Sequence, residues 1–308
     1  VSDAVEVKKI FVTGGNGQVG FELRRQLAPF GEVLAPSRDE LDLADASAVE
    51  AWLGMNEPDL VVNAAAYTAV DKAEAEPELA QRLNAGLPAQ LAAYSAHHNA
   101  WLVHYSSDYV YSGEGQAPWM EDSLTAPINV YGQTKREGDD AVRASGCRHL
   151  VLRTSWVYSA TGSNFVHTML RLGREREALN VVADQVGTPT PARLIAQLTA
   201  LALAPWPRTG EIAVAAGVYH LAPRGEASWH DVAVATFDHA ARLGLELAIT
   251  PDAVAAIPTA QYPTPAARPL NSRLDVTKLE CALGITLPGW ESQLTLTVEE
   301  IIRTRYAA

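Results

Sequence analysis

Two hydrophobic periods take turns along the first half of the chain. The run "KKIFVTG" (8–14) is short, β-rich and ends in glycine, so it predicts a strand. In "GQVGFELRRQLAPFG" (17–31), Val19, Leu23 and Leu27 fall on one helical face, and Pro29-Phe30-Gly31 supplies the stop. "EVLAPSR" (32–38) predicts the second strand and "ASAVEAWLGM" (46–55) the second helix. "DLVVNAAA" (59–66) is apolar without alternation, the pattern of a strand covered on both faces. A long helix follows at 76–98, with Pro77 in its first turn, then a strand at 101–107 and a helix from Tyr131. Further strands are predicted at 148–158 and 217–223, and further helices at 191–204, 229–243 and 291–303. The stretches 185–194 and 258–275 are rich in proline and turn residues, and the second predicts a long loop.

Strand and helix alternating through short connections imply right-handed βαβ units and a parallel sheet. The expected class is α/β: a Rossmann-type doubly wound parallel sheet with a smaller C-terminal α+β substrate lobe. The dinucleotide-binding domain is expected to take residues 1–158 plus about 192–222, and the substrate lobe about 159–191 plus 223–308. In such sheets ligands sit beyond the carboxyl ends of the strands. That places interest on Gly14–Gly20, Asn63–Tyr67, Ser106–Tyr111 and Arg153–Tyr158.

Composition narrows the classes. With 308 residues, 48% hydrophobic and 19% charged, the chain can bury a sizeable core. A net charge of −12 disfavours nucleic acid and anionic membrane as partners. Cys147 and Cys281 form no CxxC or disulfide pattern, and the opening "VSDAVEVKKIF" has no apolar leader. No apolar run is long enough for a membrane span, so a soluble cytoplasmic protein is expected. The eight histidines form no HExxH or Cys/His cluster, and no metal site is expected from them.

Candidate chemistry gathers at the strand ends. "GGNGQVG" (14–20) follows the first strand and opens a helix. Gly14, Gly17 and Gly20 fit GxxGxxG, and Gly15, Gly17 and Gly20 fit GxGxxG. Either pattern gives the tight turn that lets a pyrophosphate approach a helix N-terminus. The second strand ends at Ser37-Arg38, where Arg38 could pair with a 2′-phosphate and favour NADPH over NADH; the alternative is a solvated cation. Asp42 and Leu43 could flank the adenine. Tyr131 and Lys135 share a helical face four residues apart, a spacing common on ordinary helices. Position makes the pair more telling, because "SSDYVY" at the preceding strand end brings a hydroxyl from Ser106 or Ser107. Reduction of a ketone needs such a set. Charge develops on oxygen, a proton must reach it, and an ammonium makes a tyrosine a usable donor.

"GGNGQVG", "SSDYVYSGEG" and "YGQTK" together resemble the extended short-chain dehydrogenase/reductases. "VNAAAYTAVDKAE", "HYSSDYVYSGEGQAPWMEDS", "APINVYGQTKREGD", "LRTSWVYS", "VVADQVGTPT" and "RPLNSRLD" narrow the likeness to the family of dTDP-4-dehydrorhamnose reductases, over nearly the whole chain. The resemblance implies NAD(P)H-dependent reduction of a C4 ketone on a nucleotide sugar, for rhamnose-containing cell-envelope polysaccharide. It implies Ser107 as the catalytic hydroxyl, Tyr131 as proton donor and Lys135 as its activator. By the same matching, Gly17, Gln18, Val19, Asp42, Leu43, Ala65, Ala66, Tyr67 and Tyr105 would meet the cofactor, and Ser107, Asp108 and Trp156 the substrate. The lobe would also hold the diphosphate, with Arg268 and Arg273 in a loop suited to it. Some bacterial members have a glutamate-built magnesium site at a dimer interface. Glu22 matches one position, but Arg193 stands where they have a glutamate, so no magnesium site and only a monomer or weak homodimer are expected. Two other readings stay open. One is a different 4-ketoreductase or a 4-epimerase. The other is a regulatory subunit like the methionine adenosyltransferase β subunit, which resembles the same fold and needs no competent Ser107–Tyr131–Lys135 set.

Overall fold

Six parallel strands carry the larger layer of the computed structural model, which describes residues 7–306. The question of a leader at the chain start therefore falls largely on 1–6, outside the described residues. In chain order the first elements are β1 (Lys9–Thr13), α1 (Gln18–Leu27), β2 (Glu32–Leu34), α2 (Ala46–Asn56), β3 (Leu60–Asn63) and α3 (Val70–Ala73). Then come α4 (Pro77–Gln81), a π turn (Arg82–Gly86), α5 (Leu87–His97), β4 (Trp101–Ser107), α6 (Val130–Ala144), β5 (Arg148–Thr154) and β6 (Val157–Tyr158). The chain continues through α7 (Phe165–Glu175), β7 (Leu179–Val182), β8 (Val186–Gly187), β9 (Thr190–Pro191), α8 (Ala192–Leu203), α9 (Trp206–Thr209) and β10 (Gly217–His220). It ends with β11 (Ala227–Ser228), α10 (Trp229–Arg242), β12 (Val254–Ile257), β13 (Asn271–Ser272), α11 (Thr277–Leu283) and α12 (Trp290–Arg305).

The large sheet runs β10-β5-β4-β3-β1-β2. The chain leaves β1 for β2 on one side and then crosses to β3 on the other, so the switch point lies between β1 and β3. Alternation along the strands sorts the two faces. Ile10, Val12, Val62, Val103 and Leu152 pack with Leu23 and Leu27 of α1 and Ile195 and Leu198 of α8. Phe11, Val61, Leu102 and Val151 pack with Val49 of α2, Leu91 of α5 and Val142 of α6. The smaller lobe has its own cores, from Leu170, Val232, Leu294 and Ile301 and from Met169, Phe237 and Ile249. Its strands are short: β7 pairs with β12, β6 with β9, and β8 lies between β11 and β13.

Local chemistry sets the element ends. The Asp45 side chain accepts from the Ser47 and Ala48 amides at the start of α2, and Asn129 Oδ1 accepts from Gly132 N at 2.7 Å to start α6. The predicted strand at 148–158 is broken between β5 and β6, where Trp156 takes φ +46°. The predicted helix at 76–98 is interrupted by the π turn. Helix α7 lay outside the predicted set, and α11 packs against the sheet core through Leu279, so part of 223–308 serves the larger layer. Among the described residues, no helix is long and apolar enough to cross a membrane.

Candidate active site

A trough runs along the carboxyl edge of the large sheet and is made of two adjoining clefts. One, of about 560 Å³, is lined by Gly14, Gly17, Arg38, Asp42, Leu43, Ala65, Ala66 and Tyr67. The other, of about 590 Å³, is lined by Gln18, Val19, Tyr105, Ser107, Asp108, Tyr131, Lys135 and Trp156, and shares Gly14, Gly17, Ala65 and Ala66 with the first. The glycines where they meet are required by geometry. Gly14 has φ +65°, and a Cβ there would lie 3.0 Å from the Ala65 backbone, so the β1 and β3 ends can approach closely. A Cβ on Gly20 would lie 2.1 Å from Gly14 O. Gly17 begins α1 with no side-chain cap, which leaves the first amides of the helix open toward the cleft. This fits a dinucleotide pyrophosphate. Arg38 is exposed at the rim of the first cleft.

The wall at Ala65–Tyr67 is braced from the π turn. Asn84 is fully buried there; its Oδ1 accepts from Tyr67 N at 2.8 Å, and its Nδ2 donates to Tyr67 O at 3.2 Å and Thr134 Oγ1 at 3.1 Å. One amide side chain thus ties this wall of the first cleft to α6. Asn84 was not among the predicted site residues, and an asparagine inside a helical stretch was its only trace in the sequence. Gln18 has a similar role on the other side, since its Oε1 accepts from Ser159 Oγ and Asn164 Nδ2, both at 2.9 Å.

Ser107, Tyr131 and Lys135 come together at the floor of the second cleft. Ser107 ends β4, donates to Asp108 Oδ1 at 2.9 Å and accepts from Tyr109 N at 3.2 Å. Ser106, the neighbouring hydroxyl, also lines this cleft but is buried with no hydrogen-bond partner. The Tyr131 ring meets Tyr109 edge-on, with centroids 5.3 Å apart. Burial pushes the Tyr131 phenol up to about 12, and the Ser107 hydroxyl pulls the other way. The Asp108 and Asp139 carboxylates add to the rise, and the resting tyrosine holds its proton. Burial lowers Lys135 to about 8, and Asp139 opposes that. The Lys135 ammonium donates to Tyr105 O at 2.6 Å. The Tyr105 hydroxyl is turned away, within 2.6 Å of Thr199 Oγ1 on α8. Asp108, buried beside the set, is pushed up to about 6 by desolvation, against the Ser272 and Ser107 hydroxyls.

At the lobe side Trp156 stacks on Trp229, with centroids 3.8 Å apart and planes 11° off parallel, and Phe165 tilts onto Trp229 at 4.7 Å. All three line the second cleft. Trp229 and Phe165 were not predicted; they lie far along the chain, and only the lobe's folding brings them to Trp156. Arg268 and Arg273 line neither cleft. Arg268 Nη2 donates to Asp71 Oδ2 at 2.8 Å, and Arg273 pairs with Glu226, so each guanidinium already faces a carboxylate.

The model of the RmlD substrate binding domain matches residues 8–303. The dTDP-4-dehydrorhamnose reductase of Salmonella typhimurium is 45% identical over 299 residues, 96% of this chain and 98% of that protein. The chain belongs to the dTDP-4-dehydrorhamnose reductase family. The crystal structure of the Clostridium acetobutylicum reductase superposes with a TM-score of 0.85 at 35% identity, covering 94% of this chain and 98% of that one. The Bacillus anthracis reductase, solved in complex with NADP, gives 0.84 at 32% identity, covering 96% and 100%.

One departure from the reductase family's bacterial pattern has a structural counterpart. Arg193, at the start of α8, donates through Nη2 to Glu22 Oε1 at 3.1 Å and to Glu300 Oε1 at 2.9 Å, and its Nη1 lies 2.8 Å from Glu300 Oε2. The guanidinium fills the space between the two carboxylates and satisfies both. A divalent ion needs those oxygens free and no fixed cation beside it, so these residues do not fit the magnesium site. Among the described residues no group of three or more metal-binding side chains occurs.

Proposed function

We propose that the protein reduces the C4 ketone of dTDP-4-dehydro-L-rhamnose to give dTDP-L-rhamnose. The observation that carries this reading is the Ser107–Tyr131–Lys135 set, with Ser107 and Lys135 buried and Tyr131 half-buried, which opens onto a cleft continuous with the uncapped glycine turn. The bound nicotinamide nucleotide supplies the hydride. Ser107 and Tyr131 hydrogen-bond the ketone oxygen, and Tyr131 gives it a proton as negative charge develops there. The phenolate left behind is stabilised by the Lys135 ammonium, whose distance from water makes that charge effective. Gly17, Gln18 and Val19 receive the pyrophosphate at α1, and Asp42, Leu43, Ala65, Ala66 and Tyr67 flank the adenosine half. Arg38 supports a preference for NADPH, because a 2′-phosphate would reach it at the exposed rim of that cleft. The Trp156–Trp229 pair offers the deoxysugar an apolar floor.

Arg193 supports a protein without a magnesium-bridged dimer, present as a monomer or weak homodimer. Cys147 and Cys281 are free thiols, which supports a reducing, cytoplasmic setting. The test is loss of NADPH absorbance with dTDP-4-dehydro-L-rhamnose, wild type beside Tyr131→Phe. Stoichiometric consumption in the wild type and a loss of roughly 10²–10⁴-fold in the variant are expected. No wild-type turnover, or an unaffected variant, would sink the proposal.

A further inference from the structure

The reduction proposed above needs Lys135 as an ammonium inside the protein, and the role of its neighbour Asp139 rests on that reading. Lys135 is 1% exposed. Burial favours the neutral amine, and the Tyr105 carbonyl it touches carries no net charge. The charged and titratable groups around it come from three places. From β4 and the turn after it come His104, Tyr105 and Asp108; from β5, Arg153; and from α6 itself, Tyr131 and Asp139. The π turn packed against α6 adds only the uncharged amide of Asn84.

Most of these cannot balance a buried ammonium. Asn63 Nδ2 lies 3.0 Å from His104 Nδ1, which assigns the ring's proton to Nε2, and burial keeps His104 well below its usual range, hence neutral. Tyr105 and Tyr131 hold their protons. Asp108 faces the cleft and the Ser107 hydroxyl. Arg153, 2% exposed, is a second cation and keeps its proton in all conditions a protein meets. Asp139 is different. It is fully buried, one helical turn beyond Lys135, and its Oδ2 accepts from Arg153 Nε at 2.9 Å. Burial raises its carboxyl above the ordinary value, and the Arg153 guanidinium, the Ser106 hydroxyl and the Lys135 ammonium pull it back down. That contact uses one oxygen. Oδ1 faces His104 Nε2 at 3.7 Å and has no hydrogen-bond partner, so the carboxylate is not fully used by Arg153.

We propose that Asp139 is a positioning residue for the reduction: it is the buried counter-charge that keeps Lys135 protonated beside Tyr131, while Arg153 keeps Asp139 itself ionised. Removing the carboxylate takes away the buried anion one helical turn from Lys135 and leaves Arg153 without its partner. The guanidinium cannot yield its proton, so the lysine does.

The chain has five lysines, which makes lysine side-chain NMR with 13Cε labelling tractable, and Lys135→Arg assigns the resonance. The expected result is a Lys135 titration that moves down by about one pH unit or more in Asp139→Asn, with the high-pH limb of kcat moving with it. Should Asp139→Asn fail to fold, Asp139→Asn combined with Arg153→Met removes the orphaned cation, and a smaller downward shift is expected. An unmoved Lys135 titration in a folded variant overturns the proposal, as does a loss of kcat whose pH limb stays in place, the mark of a merely structural role. A wild type that consumes no NADPH while the lysine shift is still seen would overturn the functional reading instead and leave the counter-charge standing.

Discussion

In the proposed reduction Tyr131 would enter as a phenol, because its surroundings refuse the charged form. That is the state a reduction needs at the outset, and Lys135 acts once the proton has gone. On that reading the lysine is expected to set the upper pH limit. Its active form is the ammonium, held below about 8 and lost above it. Turnover measured across pH should level off near pH 7, fall to about half near 8 and drop by roughly tenfold per pH unit well above it. A limb that stayed level to pH 10 would show that Lys135 does not titrate as its burial requires. Asp108 is expected to give a second inflection near 6, where its buried carboxyl changes charge in the second cleft. Ser107→Ala separates the two, because it removes the hydroxyl that touches Asp108 while leaving Lys135 in place.

The π turn between α4 and α5 shows how an element can serve a site without touching the chemistry. It lets Asn84 point sideways to hold Tyr67 and Thr134, and it lets α6 come so close that a Cβ on Gly138 would lie 2.1 Å from Asn84 O. Asn84→Ala leaves the Tyr67 backbone groups without these partners, and a loss of about 1–3 kcal/mol in denaturant stability is expected, with weaker dinucleotide binding. Unchanged affinity in a folded variant would show that the wall does not need this brace. Such a turn was not legible in the sequence, since widening one helical turn changes no apolar period. The large sheet was legible for the opposite reason. β3 and β4 are buried along their whole length, and the apolar stretches Leu60–Val62 and Trp101–Val103 record that. The lobe's two-residue strands leave no period to read. Helix α7 was readable in principle from Val166, Met169, Leu170 and Gly173 behind the Asn164 cap. In the site, the glycine turn and the Tyr131–Lys135 pair are local in sequence and were legible, and the family likeness singled out Ser107. Trp229 joins Trp156 only through tertiary folding. The left-handed backbone of Trp156 has no residue signature at all, because tryptophan does not favour it.

The two lobes meet along the trough, and the Glu22–Arg193–Glu300 cluster joins them behind it. Glu22 lies on α1, whose open first amides face the trough, and Glu300 on α12 of the smaller lobe. Glu22 is 5% exposed and Arg193 42%, so the pair is buried on one side and wet on the other. Arg193→Gln leaves a buried carboxylate without its partner, and about 1–3 kcal/mol of thermal stability should be lost; a Tm within a degree of wild type would contradict that. Magnesium should change neither the Tm nor the mass on sizing of the wild type. A joint fastened by an ion would respond to a chelator and ignore modest changes in the medium. A joint fastened by a half-wet guanidinium does the reverse: EDTA leaves it alone, while dissolved salt softens it by screening. The fastening between the two lobes at Arg193 is thereby expected to answer to ionic strength rather than to metal.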